Sequence, residues 1–167
     1  MGITVHVEIV GLFLKEPVSV ASNTATIKDV LDQLVIDTSN QTANNSKHFH
    51  YHAPRNKSGK IMIDSFQVEH PTPFKSDRTG TSYPSGVYKL SNTTHGHSFS
   101  VWQYYVLGSD GKDRPVAGPL SFADFRLNDG DHIIWRSVNI HAPQVYKLPA
   151  ATPAKDSKAL TEATAAM

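Results

Sequence analysis

The amino-acid sequence predicts an α+β fold: a mixed sheet packed on one helix, interrupted by a long insertion of strands and loops. Three observations lead there. Ile3, Val5, Val7 and Ile9 alternate with polar residues at the start of the chain, which puts them on one face of a strand. Ile27, Val30, Leu31, Leu34 and Val35 repeat at helical spacing and make an apolar stripe. Phe99 to Leu107 and His132 to Val138 are rich in aromatic and β-branched residues, the composition of strands. The helix stripe and the apolar face of the first strand each need a partner, and each can cover the other. The first and last strands are expected to lie parallel at the sheet centre.

Composition bounds the function. A length of 167 residues favours one domain. With 39% hydrophobic and 19% charged residues, a packed core is affordable. Sixteen basic residues stand against 15 acidic ones, so no bulk field attracts nucleic acid or an anionic membrane. Zero cysteines exclude disulfides, thiolate metal ligands and a cysteine nucleophile. No run approaches the roughly 20 apolar residues of a membrane helix. The opening MGITVHVEIV has no basic-then-apolar pattern, so a cytoplasmic location is expected.

The elements follow in order. His6 and Glu8 take the face of the first strand opposite Ile3–Ile9. Gly11 to Pro17 reads as a turn and Pro17 to Val20 as the returning strand of a hairpin. Thr26 caps the helix, with Asp29 in its first turn favouring the positive end of the dipole. The polar run after Asp37 ends the helix near Ile36. Lys47 to His52 reads as a strand, Arg55 to Gly59 as a turn and Lys60 to Val68 as a second strand. Pro71, Pro73, Gly80, Pro84 and Gly86 then predict loops until Val87 to Leu90. Asn128 to Asp131 is a tight turn before the last strand. The domain spans 1–147, with the insertion at about 38–97. Residues 148–167 are small and polar and read as a flexible tail.

Hairpin, helix and further strands in this order describe a β-grasp. Trp102, Tyr104, Val106 and Gly108 form a Trp-x-Tyr-x-Val-x-Gly strand; Asp129, Gly130, Asp131, Ile133 and Trp135 form an Asp-Gly-Asp-x-Ile-x-Trp strand. Through these motifs, residues 3–36 and 99–138 resemble the β-grasp family similar to the C-terminal domain of transcobalamin. The resemblance implies a ubiquitin-like fold and an add-on module that binds a ligand or a protein; its relatives have a much shorter segment between helix and Trp strand.

That longer segment holds the histidines. His48, His50 and His52 alternate within five residues, and His95 and His97 flank Gly96 near the far end of the segment. On a strand, the first three share one face about 6.5–7 Å apart, so neighbouring imidazoles can converge on an ion with a third ligand from the next strand. His70, Glu69 and Asp64 stand near enough in sequence to contribute. Nitrogen and oxygen ligands without sulfur suit Zn²⁺, Cu²⁺ or Fe²⁺. If the ion is catalytic, Glu69 or Asp64 is the general-base candidate, acting on a small-molecule substrate. The same alternation also describes a solvated strand face. The leading expectation is therefore a small protein binding a divalent transition metal through clustered histidines; the alternative is a non-enzymatic ligand- or protein-interaction module. For that alternative the carriers are an exposed sheet edge or the aromatic face of Trp102, Tyr104, Tyr105 and Trp135, residues that equally suit core packing. Open sheet edges make a homo-oligomer an expectation on either reading.

Overall fold

A computed structural model of the chain describes residues 1–39, 47–114 and 120–141. The expected tail over 148–167 lies outside the described residues. Strands β1 (Ile3–Ile9), β2 (Leu14–Val20), β8 (Thr94–His95), β9 (Ser98–Leu107) and β10 (His132–His141) form a five-stranded sheet in the order β2-β1-β10-β9-β8. β1 and β10 are parallel neighbours, with His6 opposite His132 and Ile9 opposite Trp135. Every second residue of β1 is buried, as the alternation requires. Pro17 sits within β2, which among the described residues has a neighbour on one side only and so tolerates a residue without an N–H.

Helix α1 (Ile27–Ser39) is closed at its start by a reciprocal cap. Asp29 Oδ2 accepts the Thr26 N–H at 2.9 Å, and Thr26 Oγ1 accepts the Asp29 N–H at 3.3 Å. The helix runs to Ser39, three residues beyond the expected stop. Thr38 explains the extension: its hydroxyl donates to the Leu34 carbonyl at 2.9 Å and accepts the Phe49 N–H at 3.1 Å. The last turn is thereby tied to the next strand.

The expected β-grasp, one mixed sheet packed on one helix, is not what the chain builds. Among the described residues ten strands accompany a single helix, and they divide among three sheets. β3 (His48–His52), β4 (Ser65–His70) and β7 (Gly86–Ser91) form an antiparallel sheet of their own. β5 (Phe74–Lys75) and β6 (Ser82–Tyr83) form a small hairpin where loops were expected. The physical reason is the apolar content of the middle segment. Phe49, Phe66 and Val68 are fully buried and belong to one core with Val5, Leu31 and Trp135. Helix α1 packs on both β2 and β3, so its stripe serves two sheets. Phe66 meets Trp102 edge-on at 4.8 Å and Trp135 at 5.2 Å between ring centres. The segment expected as an insertion thus supplies part of the core. Its second strand also starts later than expected, at Ser65; residues 60–64 are held irregularly, by the Arg55–Ile61 bridge, by the Met62 N–H to the Pro54 carbonyl at 3.2 Å and by the Asp64 N–H to the His52 carbonyl at 2.7 Å.

Candidate functional site

The alternation of β3 places His48, His50 and His52 on its outer face, while Phe49 and Tyr51 turn inward. Opposite them on β4 stand Glu69, Gln67 and Ser65. Two of the expected carboxylates are therefore close: Glu69 is the cross-strand neighbour of His48, and Asp64 Oδ2 lies 3.2 Å from His52 Nδ1. Both members of the latter pair are largely solvent-exposed. His95 lies instead on β8, in the five-stranded sheet, and His97 in the turn after it. His70 points the other way, into the interior, and its Nε2–H donates to the Leu12 carbonyl at 3.0 Å. Burial pushes the His70 imidazole below its ordinary pKa, against the raising effect of that hydrogen bond. Among the described residues no three His, Asp or Glu side chains gather as a metal site. The geometry accounts for this, because rungs along one strand stay about 6.5–7 Å apart and, of the facing rungs, only Glu69 offers a carboxylate, the other two presenting an amide and a hydroxyl.

The residues that do converge are aromatic. Trp102 and Tyr104 on β9 share a face with Trp135, which is the register partner of Tyr104. Together with Phe122, Tyr105, Ile61, Met62 and Leu120, among others, they line an open cavity of about 660 Å³, within the size range of small-molecule sites. Its floor is firm. Trp135 is 1% exposed and packs edge-to-face against Tyr104 at 5.4 Å and Phe122 at 5.7 Å. The Tyr104 hydroxyl donates to the Leu120 carbonyl at 2.6 Å, and burial raises its pKa. Its rim is apolar and exposed, made by Met62, Tyr105 and Leu120. Hydrogen-bonding groups are few: Asn56, Ser58, Gln103, Ser121 and the Lys60 ammonium.

Both indole nitrogens, Trp102 Nε1 and Trp135 Nε1, are buried without a nitrogen or oxygen partner. The Phe66 ring packs edge-to-face with both indoles, at 83° and 65°.

Sequence reasoning singled out Trp102, Tyr104, Tyr105 and Trp135 for their strand spacing. It missed Ile61, Met62, Leu120 and Phe122, because residues 60–63 read as part of a strand and Leu120 and Phe122 lie in a segment without a period. A hydrophobic cluster in an irregular segment, Ile61-Met62-Ile63, was the available signal. Among the described residues, no helix is long and apolar enough to cross a membrane. Compared with known proteins, the chain matches no family model and no curated protein.

Proposed function

We propose that the chain is a binding module that takes an apolar, ring-containing small molecule in the cavity over β9. The observation that carries this reading is the combination of a rigid aromatic floor and an exposed apolar rim around one concave space. Exposed apolar side chains clustered at a cavity mouth are what a ligand covers on binding. The amides and hydroxyls of Asn56, Gln103 and Ser121 serve to orient such a ligand through a few hydrogen bonds.

The chain has two tryptophans, and both line this cavity. Titration with naphthol should therefore quench the intrinsic fluorescence saturably. Met62→Glu puts a carboxylate on the half-exposed rim, where an apolar ligand would have to desolvate it. Affinity should fall about tenfold, while stability changes by no more than about 0.5 kcal/mol as for other surface sites. Quenching without saturation, or an unchanged affinity in the variant, would remove the cavity from consideration.

The metal reading retains one specific observation, the Asp64–His52 pair with Glu69 beside His48. It predicts near-stoichiometric zinc, copper or iron in untagged protein purified without chelator, lost in the triple variant His48→Ala, His50→Ala, His52→Ala. Protein that is metal-free as purified and binds none on addition would end that reading.

A further inference from the structure

A second concave space lies between the β1–β2 turn and the β5–β6 hairpin, with a volume of about 570 Å³. One wall is aromatic. Phe13 holds a left-handed backbone, φ 58°, a conformation that side chains other than Gly, Asn and Asp rarely adopt. That turn sets its ring against Tyr83 at 4.5 Å and Phe74 at 5.1 Å. Phe74 is held from behind by the buried His70 ring, stacked on it at 3.9 Å.

The rest of the lining is charged, and mostly positive. Lys47 is committed to Glu16 at 3.2 Å; Glu8 faces Lys15 across the β1–β2 pair and lies 3.4 Å from His132, whose imidazole burial holds below its ordinary pKa, so the carboxylate keeps its charge. Of the charged groups left, Lys15, Lys75 and Arg78 are cations, and Glu8 and Asp77 are anions. Among the described residues Lys15, Lys75, Arg78 and Asp77 form no ion pair. The tight turn that carries Asp77 and Arg78 is fixed by two backbone hydrogen bonds of 2.9 Å, Ser76 N–H to the Thr81 carbonyl and Gly80 N–H to that of Ser76.

We infer that this cavity binds a small organic anion with a planar ring, a phosphate monoester being the best match. Three cations against the carboxylates of Glu8 and Asp77 leave an excess of one positive charge, and a phosphate monoester can accept charge-assisted hydrogen bonds from the lysine and arginine donors. The space is far larger than an ion needs, and the Phe13–Phe74–Tyr83 wall gives the remaining volume a surface for a ring. The site is separate from the aromatic cavity: the two share no lining residue.

Calorimetric titration with phenyl phosphate, inorganic phosphate and phenol tests the inference. Phenyl phosphate should bind most tightly, inorganic phosphate more weakly, and phenol least. Binding of the two anions should weaken as salt is added. Lys75 and Arg78 are exposed, so the double variant Lys75→Glu, Arg78→Glu should fold normally and lose about tenfold or more in phenyl phosphate affinity. Absence of phenyl phosphate binding at millimolar concentration, or affinity indifferent to both salt and the double variant, would overturn the site. Equal affinity for phenyl phosphate and inorganic phosphate would overturn the role of the aromatic wall.

Discussion

Phe66→Ala is expected to cost about 3–5 kcal/mol of folding stability, the range for removing a fully buried aromatic ring. Phe66 has no exposed surface, and its ring is the contact between the two larger sheets. It also packs on Phe49 at 5.9 Å and Tyr51 at 6.5 Å, so truncation opens a void walled by four aromatic rings that cannot all move in. A domain of this size has roughly 5–15 kcal/mol in total, so a large share disappears. Urea denaturation followed by tryptophan fluorescence measures the loss, since Trp102 and Trp135 stand at the damaged contact. Phe99→Ala is the control: Phe99 is 37% exposed on β9, and its truncation should cost about 1 kcal/mol or less. A loss below about 1 kcal/mol for Phe66→Ala would mean that the three-stranded sheet packs loosely on the rest. The aromatic floor of the proposed binding cavity would then be less rigid than the structure shows.

The placement of Phe66 also marks where sequence reasoning stopped. Elements with a strong period were legible. β1, α1, β3, β9 and β10 all lie within a few residues of their expected bounds, because alternation or a helical stripe follows from what each must bury. The central parallel pairing of β1 and β10 was legible too. The fold class was not, for a reason that a one-dimensional pattern cannot carry. Phe49, Phe66 and Val68 alternate properly for a strand, but nothing local says whether that strand joins the first sheet, forms another or stays outside the core. The decision is made by long-range contacts of Phe66 with Trp102 and Trp135, 36 and 69 residues further along the chain. The prolines and glycines of residues 71–86 suggested loops, and the β5–β6 hairpin forms there because Phe74 and Tyr83 can pack on Phe13 and His70.

The candidate sites divide in the same way. That His48, His50 and His52 share a face was readable from their spacing. Their separation from His95 and His97 was not, since it depends on which sheet β8 joins. The aromatic cavity was half visible. Its floor comes from strands with clear periodicity, whereas its rim comes from irregular segments whose position depends on the finished fold. A buried polar group such as His70 is the least legible of all. Its partner is the Leu12 carbonyl, 58 residues away, and a main-chain acceptor leaves no mark in the sequence.

Asp131→Ala should cost about 3 kcal/mol, a large loss for a polar side chain. Asp131 belongs to the Asn128–Asp131 turn, whose composition superficially resembles a calcium loop. The structure gives each of its last three residues a structural task instead. Asp129 Oδ1 accepts the Thr4 N–H, and the Gly130 N–H donates to the Thr4 carbonyl, both at 2.8 Å. Gly130 has φ 83°, and a Cβ there would come within 2.9 Å of the Ser109 side chain, so only glycine fits without displacement. The Asp131 carbonyl accepts the His6 N–H at 2.9 Å, which sets the parallel register of β1 and β10. Its carboxylate is 1% exposed, accepts the Asn128 N–H at 2.8 Å and pairs with the Arg114 guanidinium. Arg114 is itself mostly buried, lying over the Phe125 ring at 4.9 Å. Removing the carboxylate therefore leaves an uncompensated cation and an orphaned amide, which is why the cost exceeds that of a surface pair at about 0–1 kcal/mol. Arg114 keeps some contact with water, so the low end of the buried-pair range applies. A double-mutant cycle with Arg114→Ala separates the effects: losses well below additive are expected, because the second truncation removes the charge that the first left unpaired. Strict additivity would show that the two side chains act independently and that the turn is held by its backbone bonds to Thr4 and His6 alone.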